Sequence, residues 1–323
     1  MEERISIIVR CWNTEKTLRR CLDSLINQTY ANIEIVIVDD GSTDTTLSII
    51  ADYSTKYNDK IRVVLQEHKG AFYALKNGVE NANGDWIGFV DSDDRIDEKM
   101  LEEMLKKAKQ FNADCVQCEN YFLNEDQSLT ENQRVKDILV FDSFQAMKNF
   151  VNGTSIVRSG LCYKIYKREL FEKLEWIPSY LAEDTALMYQ IYDKAKVVVC
   201  LPNMFYHTCR LENSLTRSKF VAKKYDLHDV YDRMKTFFRT KGKYKELVPY
   251  ALNSQIGAIY YSAGEMMKAK LDKVERKKLR ERIKMDIKKI LCEEDVSLKQ
   301  KMLLKTIYFF PHLYGLIYKL SHR

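Results

Sequence analysis

Residues 33–44 read IEIVIVDDGSTD, and this stretch decides the fold. Ile33–Val38 is rich in Ile and Val, as in a buried strand, and it ends abruptly in the acidic stretch Asp39–Asp44. The pattern recurs at Trp86–Val90, which ends in Asp91–Asp94. Asp-Gly and Asp-Asp are also ordinary turn formers and helix caps. That explanation is weaker for Asp91–Asp94, where three acids follow the strand and a turn needs only one.

Strands and helices alternate on either side of this stretch. Ile5–Val9 and Ile61–Leu65 are further apolar runs typical of buried strands. Apolar residues at helical spacing predict three helices. The first is capped by Thr14, the second runs over about Thr43–Tyr57, and the third runs over Ala71–Ala82. The alternation predicts a parallel sheet with helices on both faces. Both acidic pairs are then expected at the same edge of the sheet, where such sheets bind ligands. Crowded there, the four carboxylates would repel one another unless a cation or hydrogen-bond donors balance their charge.

The pattern is looser after residue 100. A helix over Leu101–Phe111 and a strand over Ala113–Phe122 are followed by the polar stretch Leu123–Asp142 and a short helix, Phe144–Phe150. Farther along, the pair Glu183–Asp184 opens a helical pattern. The helix dipole favours acids in a first turn, so this pair is either an ordinary helix start or a functional site.

The composition excludes several classes of protein. With 46% hydrophobic and 30% charged residues, 11 Gly and 4 Pro, the chain of 323 residues is neither collagen-like nor disordered. Its net charge of +6 is the sum of an acidic part and a basic part. Residues 1–120 hold 15 Lys and Arg against 22 Asp and Glu, whereas the remainder holds 37 against 24. A uniformly basic nucleic-acid binder would not begin with an acidic third, so nucleic acid is not an expected partner.

The cysteines and the first residues indicate a cytoplasmic protein. The apolar run Ile5–Val9 is too short for a secretory signal, and Arg10 follows it. Eight Cys are scattered without a dense framework, which favours free thiols in a reducing compartment. Cys115 and Cys118 form a lone C-x-x-C without a second pair or a nearby His, so the spacing fits a buried strand better than a zinc site.

The C-terminal part of the chain is helical from about Ala222. Met267–Lys289 is strongly basic and carries an apolar stripe, Leu271, Val274, Leu279, Ile283, Ile287 and Ile290. Met302–Leu320 is apolar and aromatic, but its longest stretch without Lys or Arg has 13 residues and contains Pro311. A spanning helix needs about 20 residues. This segment therefore either packs on the globular core or lies in a membrane interface beside the basic helix.

Taken in order, these motifs resemble those of family 2 glycosyltransferases of the bacterial surface-polysaccharide type, whose fold is GT-A. The matching elements are Ile5–Asn13, Ser24–Tyr30, Glu34–Asp44, Ala82–Asp94 and Glu183–Asp184. Each motif is weak alone, but their order over residues 4–215 is specific. The resemblance implies an α/β, Rossmann-like mixed sheet with helices on both faces and a catalytic domain over residues 1–220. Residues 221–323 lie outside it and form the mostly helical C-terminal region, with membrane association as one alternative.

The resemblance also implies roles for the acids. Asp93 would coordinate Mg or Mn on the diphosphate of a nucleotide sugar, because Asp91-Ser92-Asp93 matches the family's D-x-D motif. Asp91 would contact the ribose or the metal shell. Asp39 and Asp40 would lie against the base and ribose, with Asp39 the better candidate for the base edge. A cation held by carboxylates neutralises the diphosphate and lets the nucleotide leave.

Other positions complete the implied nucleotide site or depart from the family. Backbone around Val9 and Trp12 would close the pocket. Arg10 stands where the family usually has Pro, and Trp12 where it usually has Tyr. Leu75 and Lys76 stand where it commonly has Arg and Asn, which makes Lys76 the candidate for the phosphate or sugar contact of that Arg.

By the resemblance, Glu183 and Asp184 would provide the catalytic base. In an inverting transfer the acceptor hydroxyl loses its proton as it attacks the anomeric carbon, and Asp184 is the candidate base. The helix start lowers the pKa of Asp184, whereas the neighbouring Glu183 raises it. His207 is a candidate further metal ligand or a packed core histidine, and Arg210 is a candidate phosphate clamp.

Together these residues predict a metal-dependent, inverting glycosyltransferase with a nucleotide-sugar donor, preferably UDP-linked, and a glycan or lipid-linked glycan acceptor. It is expected in the cytoplasm or peripherally on the inner face of the cell membrane. Two alternatives stand beside it. A phosphatase of the haloacid dehalogenase type also places Asp-x-Asp after a parallel strand, but on its opening strand. A non-catalytic nucleotide-sugar-binding module or membrane-surface scaffold is supported only by the substitutions near Leu75.

Overall fold

The computed structural model describes residues 2–124, 128–154, 156–209 and 219–321. The chain divides into two compact units, the first formed by Met1–Pro178 with Glu183–Leu211 and the second by Ser179–Ala182 with Glu212–Arg323. The short segment Ser179–Ala182 joins the second unit through tertiary contacts, since the Tyr180 N–H donates to the Asp226 carboxylate. Local sequence does not indicate this contact.

In the described residues, the first unit is built on one sheet of ten strands. They are β1 (Ile5–Cys11), β2 (Ile33–Asp39), β3 (Ile61–Leu65), β4 (Trp86–Phe89), β5 (Arg95–Ile96), β6 (Cys115–Leu123), β7 (Leu129–Asn132), β8 (Leu139–Phe141), β9 (Lys164–Lys167) and β10 (Val198–Cys209). The order is β3-β2-β1-β4-β9-β6-β10-β5, with β7 beside β6 and β8 beside β10. The strands β3, β2, β1 and β4 are parallel, whereas β9 is antiparallel to both neighbours, so the predicted mixed sheet is confirmed.

The described helices of the first unit are α1 (Leu18–Ile26), α2 (Thr46–Lys56), α3 (Ala71–Asn81), α4 (Met100–Phe111), α5 (Ser143–Val151) and α6 (Glu183–Lys194). The apolar residues at helical spacing in α1 are all buried. Thr14 does not cap this helix. Its N–H donates to the Thr46 hydroxyl at 2.9 Å, and its carbonyl accepts the N–H of Leu18 at 3.0 Å, so Thr14 forms a turn before the helix instead.

The polar stretch Leu123–Asp142 contains two short strands that its sequence does not reveal. β7 pairs antiparallel with β6, and β8 pairs antiparallel with β10. Because β7 is largely exposed, it needs no apolar alternation. Cys115 and Cys118 lie buried in β6, as their spacing predicts. Residues three apart on a strand face opposite sides of the sheet, so these two thiols do not converge on one ion.

The described helices of the second unit are α7 (Asp226–Thr240), α8 (Val248–Lys268), α9 (Lys273–Leu291), α10 (Leu298–Phe309) and α11 (Pro311–Ser321). Four members of the apolar stripe on α9 are buried in its core, Leu279, Ile283, Ile287 and Ile290. Val274, in the first turn of α9, is 61% exposed and lies outside that core.

The apolar C-terminal segment is divided at Pro311. Because proline cannot donate a hydrogen bond inside a helix, α10 ends at Phe309 and Pro311 begins α11. One side of each helix packs on the second unit's core through Leu304, Ile307, Tyr314 and Tyr318. Among the residues described, no helix has the length and apolar character that crossing a membrane requires.

Candidate active site

Three parallel strands of the first unit end at one edge of its sheet. β1 pairs in parallel with both β2 and β4, and its last residue, Cys11, lies opposite Asp39. The Asp40 N–H donates to the Cys11 carbonyl at 2.9 Å. The segments that follow these strands, at Trp12, Asp40 and Asp91, therefore lie along the same edge, as the sequence predicts.

The acids at this edge do not form a single cluster. β1 lies between β2 and β4, and neighbouring strands are about 4.8 Å apart, so the two acidic turns begin about 10 Å from each other. In the described ranges, the group of three or more converging metal-ligating side chains is Asp91, Asp93 and Asp94. The expectation that both acidic pairs crowd together is therefore wrong, because a whole strand separates them.

The Asp40 carboxylate is saturated with hydrogen bonds. It accepts the N–H groups of Lys69 and Gly70, both at 2.8 Å, and the side-chain amide of Gln66 at 2.6 Å. The His68 ring nitrogen Nδ1 lies 2.9 Å from the same carboxylate. Asp40 thus closes the loop after β3, and this structural task leaves it little capacity for a ligand.

Asp39 is buried but only partly satisfied. Its Oδ2 accepts the Ser42 N–H at 3.0 Å. Its Oδ1 is buried and has no hydrogen-bond partner in the part of the chain that the structure describes. A buried acceptor without a donor costs about 1–3 kcal/mol. Asp39, rather than Asp40, is therefore the member of the pair that has an acceptor to offer a ligand.

An aromatic stack borders the Asp39–Asp40 turn. The Trp12 and His68 rings are 4.5 Å apart and inclined by 20°, and Trp12 is 51% exposed. Asn13, at φ +54°, fixes the adjoining turn by accepting the Thr43 N–H at 2.8 Å. An exposed flat ring beside an acceptor suits a planar base. His68 is a residue that sequence reasoning missed, because it lies in a loop without periodicity.

Val9 and Lys76, the other predicted nucleotide contacts, have different surroundings. The Val9 side chain is fully buried in β1, so Val9 can offer a ligand only its backbone. The Lys76 ammonium lies 3.7 Å from the Glu80 carboxylate, one turn farther along α3. A phosphate or sugar contact by Lys76 stays a prediction.

Asp91, Asp93 and Asp94 form an acidic cluster whose carboxylate oxygens lie within 4.8 Å of one another. Asp94 is buried and accepts the Tyr206 hydroxyl and the Cys209 N–H, both at 2.7 Å. Burial and the neighbouring Asp91 raise the pKa of Asp93 to about 6, and burial with both neighbouring acids raises the pKa of Asp94 well above its usual range. A hard divalent cation would relieve this repulsion, so the donor set fits Mg or Mn.

Two residues from distant parts of the chain hold the acidic cluster in place. The Arg20 guanidinium donates to the Asp93 carbonyl at 2.6 Å, and the Tyr206 hydroxyl accepts the Asp91 N–H at 3.2 Å. These partners lie 73 and 115 residues apart in sequence. Because no local pattern links residues at such separations, sequence reasoning did not find them.

Arg10 bridges the acidic cluster and the start of α6. Its guanidinium lies 3.0 Å from the Asp91 carboxylate and 3.4 Å from that of Glu183. Although burial lowers the pKa of Arg10, the carboxylates of Asp91, Glu183 and Asp184 raise it above its ordinary value. Arg10 therefore carries a fixed positive charge into an acidic site.

The Glu183–Asp184 pair begins α6, as predicted. Burial and the adjacent Glu183 raise the pKa of Asp184 to about 7, so these influences outweigh the helix start. Its Oδ2 accepts the Leu161 N–H at 3.3 Å, while its buried Oδ1 has no partner among the described residues. A carboxylate with a pKa near neutrality and an unused acceptor oxygen has the properties of a general base.

His207 is not part of the acidic cluster that the described residues form. Its ring stacks on Tyr121 with centroids 5.4 Å apart, and it lies opposite Arg95 where β10 pairs with β5. Burial and the charge of Arg95 lower the pKa of His207. This position favours a packed histidine, and metal ligation by His207 stays a prediction. Arg210 lies outside the described residues.

Known proteins share this sequence pattern. The family model described as "Glycosyl transferase family 2" matches residues 6–175. "Glycosyltransferase GlyG" of Streptococcus pneumoniae serotype 4 is 32% identical over 234 residues, 68% of this chain and 75% of GlyG. "Cholesterol galactosyltransferase" of Borreliella burgdorferi is 30% identical over 259 residues, 75% of this chain and 70% of that protein. "Glycosyltransferase GlyA" of the same S. pneumoniae serotype is 33% identical over 223 residues, 67% of this chain, which spans only 32% of GlyA.

A solved structure shares the fold. The crystal structure of S. aureus TarS 1-349 in complex with UDP-GlcNAc matches with a TM-score of 0.72, covering 98% of this chain and 89% of the TarS chain. The two sequences are 20% identical in this alignment, a level at which the likeness establishes the fold alone. The fold is GT-A, as predicted.

Proposed function

The chain belongs to glycosyl transferase family 2 and is a glycosyltransferase, and we propose that it moves a sugar from a nucleotide-diphosphate donor to an acceptor hydroxyl with inversion. The observation that carries the proposal is the Asp184 carboxylate, which has a raised pKa and an unpartnered Oδ1. Family membership argues against a haloacid dehalogenase type phosphatase, and the glycosyltransferase names of the relatives argue against a non-catalytic scaffold.

The proposed donor is a UDP-sugar. The Oδ1 of Asp39 supports this choice, because uracil presents an imide N–H that a carboxylate can accept. The exposed stack of Trp12 and His68 supports a planar base at the same edge. TarS has the same fold and is known in complex with UDP-GlcNAc, which makes UDP-sugars the first donors to test.

The acidic cluster is proposed to hold Mg or Mn through Asp91 and Asp93. When bound, the ion would neutralise charge on the departing diphosphate. Asp94 has a different part, since its contacts with Tyr206 and Cys209 keep the turn in shape. Arg10 balances the charge of Asp91 and holds Glu183 in place through its two ion pairs.

Asp184 is proposed to take the proton of the attacking hydroxyl on its Oδ1. In a single displacement the acceptor approaches the anomeric carbon from the side opposite the diphosphate and loses its proton as the new bond forms. A pKa of about 7 keeps a useful fraction of Asp184 ionised at neutral pH and still allows it to bind the proton firmly. Glu183 contributes by keeping that pKa raised.

The proposed acceptor is a glycan or lipid-linked glycan of a bacterial surface polysaccharide, met at the inner face of the cell membrane. All eight cysteines are free thiols, which suits the reducing side of that membrane. The glycosyltransferase names of the relatives support the class of reaction, and the choice of acceptor is ours.

Release of UDP from a panel of UDP-sugars, with Mn, Mg or a chelator, tests the donor and the metal. We expect release that depends on the metal. Asp184→Asn should bind UDP as the wild type does but transfer sugar at least about 10²-fold more slowly. The matched control is Asp52→Asn, an exposed carboxylate on α2 that pairs with Arg19 at 3.0 Å. Comparable turnover by Asp184→Asn would refute Asp184 as the base, and no release of UDP from any UDP-sugar would refute the proposed donor.

A further inference from the structure

The last two helices of the second unit expose an unusually apolar surface. Eight large apolar side chains on α10, α11 and the corner between them are 49–77% exposed. We call them the C-terminal apolar face: Leu298, Met302, Phe309, Phe310, Leu313, Leu316, Ile317 and Leu320. Single exposed apolar residues are ordinary, but a contiguous set marks an interaction surface.

The spacing on α11 separates an anchored side from an exposed side. Leu313, Leu316 and Leu320 recur at helical spacing and stay exposed. Tyr314 and Tyr318, on the other side, are buried, and their hydroxyls donate to the Tyr260 carbonyl at 2.6 Å and the Glu265 carboxylate at 3.1 Å. These bonds fix the rotation of α11 on α8, so it cannot turn its exposed side into the core.

Gly264 of α8 makes the docking of α11 tight. A Cβ at this position would collide with the Tyr318 ring, so only glycine permits the approach. The helix is thus apolar on two opposite sides, one of which the second unit covers. Because α11 also exposes His312 and Lys319, it is an amphipathic helix whose exposed apolar side can meet a second apolar environment.

The charges around the face identify the occupant. Residues 298–321 contain four lysines and no Asp or Glu, and α9 holds nine Lys and Arg against three acids. The ammonium groups of Lys284 and Lys288 on α9 lie 5.1 and 5.7 Å from the centre of the Tyr308 ring, which sets the basic helix beside α10. Lys305 is exposed between Met302 and Phe309 on one side of α10.

We propose that the C-terminal apolar face lies in the interfacial layer of an anionic lipid bilayer, with the Phe309–Phe310 corner in the acyl region. Lysine stems can lie along the acyl boundary while their ammonium groups reach lipid phosphates. A basic surface around an apolar centre is the pattern of interfacial helices that bind anionic lipid. The role of this surface rests on the proposed function, because a lipid-linked acceptor lies in such a bilayer. Lipid binding itself needs no nucleotide-sugar donor and can be measured without one.

Flotation of the full chain with vesicles of phosphatidylglycerol and phosphatidylcholine in equal amounts tests the proposal. The double variant Phe309→Gln, Phe310→Gln should bind at least about tenfold more weakly, because it loses two inserted rings. The double variant Lys299→Gln, Lys305→Gln should also lose about tenfold. The matched control is Met285→Gln, 58% exposed on α9 outside the face, which should stay within about twofold of the wild type.

Wild-type binding by the phenylalanine variant, or equal binding of the wild type to pure phosphatidylcholine, would overturn the proposal. The proposal would also be overturned if the wild type is a dimer, the phenylalanine variant is a monomer, and neither protein floats with the vesicles. In that case a second copy of the chain would cover the face. If that variant fails to fold, Phe310→Trp replaces it. Its added fluorescence should be quenched by brominated phosphatidylglycerol, and absence of quenching counts against the proposal.

UDP release in the same variants separates this inference from the proposed function. Lost flotation with unchanged release is the expected result for the phenylalanine variant. A wild type that floats but releases no UDP from any UDP-sugar leaves the lipid surface standing and removes the proposed donor.

Discussion

Two Asp-Asp pairs follow parallel strands of one sheet, and their surroundings are opposite. Asp39–Asp40 after β2 meets N–H donors from two loops, and the Asp40 carboxylate is fully used. Asp93–Asp94 after β4 meets another carboxylate, Asp91, and burial with this repulsion raises the pKa of both acids. The first pair is balanced by the protein itself, whereas the second has an excess of negative charge.

The comparison teaches that an acidic dipeptide after a strand has no single role. Where backbone N–H groups converge, it anchors a loop and leaves at most one oxygen for a ligand. Where carboxylates converge, it prepares a site for a cation. The two pairs therefore respond differently to the same substitution.

The largest effect is expected in the acidic cluster. Asp93→Ala should lower UDP release at saturating metal by about 10³-fold, because the ion's stabilisation of the leaving diphosphate is worth several kcal/mol. The steady-state rate of UDP release measures it, with Asp52→Ala as the control on an exposed carboxylate. A loss below about tenfold would contradict the assignment of Asp93 as a metal ligand.

For the free energy of unfolding, we expect the larger loss at the Asp39–Asp40 pair and not in the acidic cluster. Asp40→Ala leaves the Lys69 and Gly70 N–H groups without their acceptor and should lower the free energy of unfolding by about 2–4 kcal/mol. Asp93→Asn relieves repulsion in the metal-free protein and should leave that free energy unchanged or raise it. Urea unfolding without divalent ions measures both. The comparison breaks if Asp93→Asn proves the more destabilising change.

The pH dependence of transfer follows from Asp184. A base must be ionised to accept a proton, and its pKa of about 7 lies above the ordinary value for Asp. The value of kcat/KM should therefore fall as pH drops below 7, by about tenfold per unit in the limit. Rates from pH 5 to pH 8 at saturating metal check this, with UDP binding measured over the same range as a control. A flat profile down to pH 5 would exclude Asp184 as the base.

The smallest effect is expected at Asp39. Asp39→Asn replaces an oxygen that is proposed to accept the base N–H, and it should raise the KM for the UDP-sugar by about three- to tenfold with kcat nearly unchanged. Steady-state kinetics at varied donor separate the two constants. A lower kcat with an unchanged KM would contradict this assignment and would indicate that Asp39 acts in the chemical step.

The sequence predicts the elements that bring these acids to the sheet edge. β1 to β4 and α1 to α4 carry strong periodicity, and each is present close to its expected range. β5, β7, β8 and β9 have no such signal, because they are short and are held by partners far along the chain. The cap at Thr14 was also wrong, because α1 begins only at Leu18 and the buried Thr14 hydroxyl accepts no helix N–H among the described residues.

The candidate site divides in the same way. The sequence locates Asp39, Asp91, Asp93 and Asp184, because each follows a strand or opens a helix. It does not locate His68, Arg20 or Tyr206, nor the bridge from Arg10 to Glu183, whose partners are 173 residues apart. Each of these depends on which loops meet at the edge.

The amino-acid sequence by itself determined the strands β1 to β4, the acids at the ends of β2 and β4, and the basic, apolar helical region that follows. Hydrophobic periodicity and strand-end carboxylates are local properties, so they can be read without the fold. Only the tertiary structure decided that β1 separates the two acidic pairs, that Asp40 is saturated, and that burial with Glu183 raises the pKa of Asp184 to about 7. Hydrogen-bond supply and desolvation depend on groups from distant parts of the chain, and folding alone sets their distances.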